Sequence, residues 1–185
     1  MSEVATNADK FELIASLTDP FTIDEVTIIR QIVPEDAEAF AGIIASNPDI
    51  GKYITWAGMV HGADDVVPAI QSRSNTAMAG RYAIDRQGSI VGYAGIFPGE
   101  QDDEYGMGYF VDKLDRGKGL AGEALKAMIE AVKVLFPKYL YLQIAPDNKP
   151  SITIATRYGF QPAETVWNDH SQLNERRFRL EIPDE

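Results

Sequence analysis

The sequence predicts an α/β fold in which a mixed, mainly antiparallel sheet carries helices on both faces. Three features predict it. Strand-like segments at 81–85 and 89–97 are joined by a turn at Arg86-Gln87-Gly88, the pattern of an antiparallel hairpin. A strand at 105–111, a long amphipathic helix and a strand at 139–144 follow in that order, which calls for a parallel pair with a right-handed crossover. Segments 163–168 and 175–181 then read as a closing hairpin with a longer loop. At 185 residues the chain can bury one good-sized core, and 25–185 is read as a single domain behind an N-terminal extension over 1–24.

Taken in order, residues 11–17 form a short amphipathic pattern that Asp19-Pro20 breaks. Residues 26–33 are rich in β-branched side chains and predict a strand. Pro34-Glu35-Asp36 opens a helix, because proline suits the first turn and carboxylates suit the positive helix end. Ala37, Phe40, Ala41 and Ile44 share one face of it, and Asn47-Pro48 ends it. Residues 49–63 hold Tyr53, Trp56, Met59 and His61 among glycines, and a second helix is expected near 64–73. Leu125, Met128, Ile129, Val132, Leu135 and Phe136 recur at helical spacing until Pro137 stops that helix. A short helix at 150–158 ends at Gly159, a natural C-cap, with Phe160 as the apolar contact that follows such a cap. Arg176, Arg177 and Arg179 read as a solvated strand face, with at least one in reach of a phosphate.

Composition removes several function classes. No apolar run approaches the length of a membrane span, and the polar, acidic first ten residues do not resemble a signal peptide, so a cytoplasmic protein that avoids membranes is expected. Cysteine is absent, which excludes disulfides and thiolate chemistry, and His61 and His170 are the only imidazoles, so no metal site is expected. A net charge of -11 disfavours nucleic acid and suits a cationic partner such as a protonated amine. Oligomeric state is left open, a homodimer included.

Arg116-Gly117-Lys118-Gly119-Leu120-Ala121 joins the strand at 105–111 to the long helix. A helix start presents unpaired amides and partial positive charge, glycines allow close backbone approach, and Arg116 and Lys118 add charge, so the run predicts a phosphate-bearing ligand. Residues 117–122 also match G-x-G-x-x-G, with Asp147 after the next strand where a ribose-binding acid would lie. Against a dinucleotide stand residues 112–116 between strand and glycine, the hairpin-linked strands upstream, and only 63 residues after Gly122. A P-loop is excluded because Gly119, not Ser or Thr, follows Lys118.

Three motifs carry a family resemblance: Arg116, Gly119 and Ala121 in the glycine run, then Asn148-x-x-Ser151 with Tyr158-Gly159-Phe160, and upstream Gly108-Tyr109-Phe110-Val111. Together they resemble the acetyl-CoA signature of the GNAT N-acetyltransferases, in the spacing of the branch that acetylates ribosomal-protein N-termini. The resemblance implies acetyl-CoA as co-substrate, no metal, and direct attack in a ternary complex by a primary amine, a protein N-terminus or a small amine. It implies that the backbone of Gly117, Lys118, Gly119, Leu120 and Ala121 holds the pyrophosphate beside Arg116, that Phe110 and Val111 pair with the pantetheine arm, and that Asn148 bonds the cofactor. Tyr53, Trp56 and His61 fall where the family builds its acceptor wall, and Ser151 falls near the thioester sulfur. Aromatics there also suit an ordinary core, and Asn148 and Ser151 also suit a helix cap.

Two family features are missing. The tyrosine seven residues after the asparagine, a proton donor in other branches, is Ala155 here, which leaves Ser151, Tyr158 or water. The carboxylate two residues before Gly108 is replaced by Gly106. Glu104 has the same strand parity and is the candidate base, although a loop-edge surface carboxylate is its plainer reading, and Asp102 and Asp103 are weaker candidates. An acyl-CoA-binding module without catalysis, a nicotinamide-dependent oxidoreductase and a transferase of longer acyl groups remain as alternatives.

Overall fold

The computed structural model describes residues 14, 17, 20–71, 80–101 and 103–183. The β-branched run near the start folds as a hairpin, β1 (Phe21–Asp24) and β2 (Thr27–Gln31), whose turn is held by the Val26 amide donating to the Asp24 carboxylate at 2.9 Å. The sheet therefore begins within the segment set apart as an extension, and Ile14 and Leu17 are buried in the main core. The rest of the short helix expected at 11–17 lies outside the described residues.

β3 (Arg81–Arg86), β4 (Ser89–Pro98) and β5 (Glu104–Val111) continue the sheet antiparallel. β6 (Tyr139–Ile144), β7 (Gln161–Asn168) and β8 (Leu173–Glu181) complete it in the order β1-β2-β3-β4-β5-β6-β8-β7. Among the described residues the single parallel join is β5 to β6, as the strand–helix–strand order requires. It spans only Glu104 opposite Tyr139, Tyr105 opposite Leu140 and Gly106 opposite Tyr141. Beyond these pairs the two strands part.

Strand alternation sends apolar side chains to both faces, and helices cover each. On one face α4 (Leu120–Val132) buries Leu125, Met128, Ile129 and Val132 against Ile84, Ile96, Met107 and Leu140, and α5 (Lys149–Arg157) adds Ala155. On the other, α1 (Ala37–Ser46) and α3 (Ala63–Gln71) bury Phe40, Ile44, Val66 and Ile70 against Ala83, Tyr93 and Phe110. Where α1 meets the sheet, Arg30 forks onto both oxygens of Asp36 at 2.8 Å and reaches Asp85 at 2.8 Å. Burial alone would raise the Asp36 carboxyl, but hydrogen bonds from Arg30 and the Val33 amide outweigh it and hold it below the usual carboxylate range.

Two segments differ from the sequence reading. Pro48 ends α1 but also starts α2 (Pro48–Tyr53), because a proline at the first helical position needs no amide partner. Phe136 is 89% exposed instead of lying on the buried stripe. The helix tightens into a 3-10 turn at Lys133–Leu135, and Phe136 takes a left-handed φ of 50°, so the 3.6-residue stripe is lost before it.

Candidate active site

Where β5 and β6 part, a cleft of about 720 Å³ opens. Residues 107–111 line one side and residues 142–145 the other. β5 is paired to β4 through Val111, and β6 to β8 through Ile144, so the edges facing the cleft carry unpaired backbone groups. Val111 turns its backbone to this edge, with its carbonyl already taken by Arg116, whereas the backbone of Phe110 faces β4. Their side chains are buried in opposite cores, Phe110 stacking on Tyr93 at 5.4 Å and Val111 joining the α4 side. An extended ligand with amide groups meets there the donors and acceptors that an added strand would meet.

The glycine run closes one end of the cleft. Gly117 has φ 76° and Gly119, the N-cap of α4, has φ 81°, a conformation that favours glycine. A Cβ at either would touch nothing within 4 Å, so the space above the loop is open. None of the amides of Gly117, Lys118, Gly119, Leu120 and Ala121 meets an acceptor among the described residues, and the first helical turn beyond adds its positive end. Five free donors around an open concavity fit a pyrophosphate. The flanking cations are engaged in shaping the loop. Arg116 donates to the Val111 carbonyl at 2.9 Å and to Asp49 at 2.8 Å, and Lys118 pairs with Asp115 at 2.8 Å.

Across the cleft, Asn148 caps α5 by accepting the Ser151 amide at 3.3 Å, and both side chains belong to the lining. The sequence reading passed over Tyr109 as a mere strand residue. Its ring lines the same cleft, and its hydroxyl is buried without a hydrogen-bond partner. Burial pushes that phenol up to about 12, with the neighbouring Ser151 side chain pulling weakly the other way. Tyr158 is committed elsewhere. Its ring packs over Gly122, and its hydroxyl donates to Glu123 at 3.4 Å.

The other sequence candidates separate. Tyr53 lines the cleft. Trp56 does not: it is 5% exposed and packs in the core against Tyr93 at 5.1 Å and Phe110 at 6.0 Å. His61 is exposed beyond the cleft lining, its amide held by Asp65 ahead of α3. Glu104 is 1% exposed and lies off the cleft, paired to Arg179 at 3.1 Å. It sits in an ion cluster in which Arg177, 6% exposed at its side chain, reaches Glu100 and Glu164 at 3.0 Å each. That cluster takes Arg177 and Arg179 out of the solvated arginine face expected on β8, while Arg176 stays exposed. A carboxylate at position 106 has no room, since a Cβ there would run into the rings of Phe97 and Tyr141. Asp102 lies outside the described residues, and Asp103 uses its carbonyl to join β5 to the start of β6.

The buried carboxylate that does line the cleft is Glu175 on β8, 3% exposed. A lone glutamate in an Asn-Glu-Arg-Arg run gives no sign in sequence of facing inward. Among the described residues no group of three His, Asp or Glu side chains could hold a metal, and no helix is long and apolar enough to cross a membrane. A dinucleotide at the glycine run would require a doubly wound parallel sheet, and this sheet has one parallel pair.

Comparison with known proteins agrees with the topology. Coenzyme A-bound RimL, a ribosomal L7/L12 alpha-N-protein acetyltransferase, superposes with a TM-score of 0.73 at 14% identity over 89% of this chain and 98% of its own. The microcin C7 self-immunity acetyltransferase MccE, solved with acetyl-CoA and AMP, does so at 0.73 and 18% over 90% and 99%. The spermine/spermidine N(1)-acetyltransferase of Bacillus subtilis (strain 168) is 37% identical over 84 residues, which cover 40% of this chain and 55% of that protein. The chain thus spans about half the length of the curated relatives it matches. The profile of the acetyltransferase (GNAT) domain matches residues 27–161, most of the chain and all of the strand–loop–helix unit that builds the cleft, and the protein belongs to that family.

Proposed function

We propose that this protein transfers an acetyl group from acetyl-CoA to a primary amine. The observation that carries the reading is the set of five unpartnered amides at 117–121, opening onto the gap between β5 and β6. They offer a diphosphate its donors, and the unpaired edge of β5 offers the amide-bearing arm its strand partner.

Acetyl-CoA supplies an activated thioester, on which an N–C bond forms and a C–S bond breaks: the protonated amine first releases one proton to solvent, then loses a second as the bond forms, and the departing sulfur gains one. The chain's own groups serve that exchange. Backbone groups of β5 at the cleft are placed to steady developing negative charge on an oxygen. Tyr109, kept protonated by burial, and Ser151 beside it provide a hydroxyl pair able to deliver a proton. Thus a strand tyrosine takes the place left open by Ala155 on α5. No covalent enzyme intermediate is required.

The printed activities of the relatives, on spermine and spermidine and on a ribosomal protein N-terminus, frame the choice of acceptor. We place this chain with amines of either kind, attracted by its net charge of -11. The test is thiol release from acetyl-CoA with a panel of polyamines, N-terminal peptides, lysine peptides and aminoglycosides. Amine-dependent release is expected. Coenzyme A binding without release across the panel would overturn the reading in favour of a binding module.

A further inference from the structure

We propose that Glu175 receives the ammonium group of a cationic amine acceptor, a proposal that rests on the acetyl-transfer reading and assigns its acceptor subsite. Glu175 is 3% exposed on the wall of the cleft opposite β5. Its oxygens are held by neutral donors only. Gln143 Nε2 and Asn168 Nδ2 donate to Oε2 at 3.0 and 2.8 Å, and the Ser171 hydroxyl donates to Oε1 at 2.8 Å.

The remaining acids of the cleft are differently placed. Asp49 pairs with Arg116 at 2.8 Å, Asp115 with Lys118 at 2.8 Å, and Asp147 with Lys52. Among the described residues no basic side chain pairs with Glu175. Even its strand neighbours Arg177 and Arg179 turn to Glu100, Glu104 and Glu164.

A carboxylate withdrawn from water is costly unless hydrogen bonds and a counter-charge compensate it. Here three donors fix its orientation, about one of its four acceptor sites stays open, and the counter-charge is missing. A cation entering the cleft supplies that charge, and an alkylammonium supplies the N–H as well. A neutral ligand supplies neither. The fixed carboxylate thus selects protonated amines and holds their nitrogen on the wall facing the β5 edge.

The test uses a cation that cannot be acetylated, N,N,N′,N′-tetramethyl-1,4-diaminobutane, titrated calorimetrically into the coenzyme A-saturated protein, alongside steady-state kinetics with spermidine. Glu175→Gln is expected to weaken binding of the diamine, and to raise the KM for spermidine, by about tenfold or more. The KM for acetyl-CoA stays unchanged, and Glu175→Asp, which keeps the charge, regains part of the loss. Failure of the wild type to bind the diamine overturns the proposal, as does equal binding by Glu175→Gln. Equal defects in Glu175→Asp and Glu175→Gln, with a lowered Tm and a raised KM for both substrates, also overturn it and assign Glu175 to holding the β7–β8 turn. Diamine binding that depends on Glu175, together with no thiol release by the wild type, would uphold the cation site and refute acetyl transfer.

Discussion

Replacing Gly119 by tryptophan separates the donor site from the fold. Gly119 has φ 81°, where any side chain is strained by about 1–2 kcal/mol. No atom lies within 4 Å of a Cβ built there, so the first carbon of the side chain adds no clash to that strain. For a chain of this size that lowers Tm by about 2–8 °C. The ligand loses far more. The indole enters the space faced by the free amides of Leu120 and Ala121, and two charge-assisted hydrogen bonds are worth about 3–6 kcal/mol. Affinity for coenzyme A should fall by over about a hundredfold. Calorimetric titration with coenzyme A and a thermal melt read the two effects separately. Gly119→Ala provides the control, because it carries the strain with little bulk: its Tm should drop alike, with a smaller loss of affinity. Unchanged affinity in Gly119→Trp would refute the placement of the diphosphate, and an unfolded Gly119→Trp would refute the claim that the loop faces open space.

Other variants test the remaining assignments. Tyr109→Phe should lower kcat while leaving the KM for acetyl-CoA unchanged and Tm no lower, because the buried hydroxyl it removes has its hydrogen-bonding capacity unmet; unchanged turnover would return the proton step to Ser151 or water. Trp56→Ala should cost about 3–5 kcal/mol in urea unfolding, as loss of a core aromatic does, whereas the milder Trp56→Phe should leave the KM for the acceptor unaltered; a raised KM would place Trp56 at the acceptor after all. Arg30→Met tests the ion cluster beneath α1. The folded Asp36 carboxyl lies below its ordinary 3.8, so the stability it contributes is present above that value and is lost as pH falls through the lower, folded one. The stability gap between wild type and Arg30→Met should be full near neutral pH and shrink below about pH 4; a gap independent of pH would show that Arg30 acts through packing alone.

The geometry of the proposed donor half was legible because it is local. Gly117 and Gly119 are needed for left-handed backbone at a helix start, and such a start binds anions whatever surrounds it. The strand–helix–strand order likewise fixed the parallel pair whose parting makes the cleft. The acceptor half depends on what distant strands bring together. Tyr53 and Trp56 are both aromatics in a glycine-rich stretch, and only the extent of α2 and the turn at Ala57–Met59 send one to the cleft and the other into the core. Glu104 has the strand parity expected of it, but Arg179 from β8 neutralises it, a partner 75 residues away. Glu175 sits in a charged run that reads as solvated surface until β8 is laid beside β6. The same pairing buries Arg177 over the Tyr141 ring at 4.5 Å.

These two halves should tolerate sequence change differently. Amides at 117–121 and the β5 edge present the same donors and acceptors for almost any side chains that keep the backbone path, so the donor site constrains little beyond two glycines and the gap between strands. Discrimination among amines has no such backbone solution, because a cation needs a fixed negative charge in a place water does not fill. Side chains must supply it, and they can do so from whichever strand passes the cleft. In this chain the position two before Gly108 is closed by the rings of Phe97 and Tyr141, and the free carboxylate stands instead on β8. Moving the charge from one wall to another changes the angle at which an amine can approach while leaving the donor site untouched. With Tyr53 and Glu175 in the acceptor roles proposed above, acceptor choice can change through such wall residues without disturbing the core that holds β5 and β6 apart.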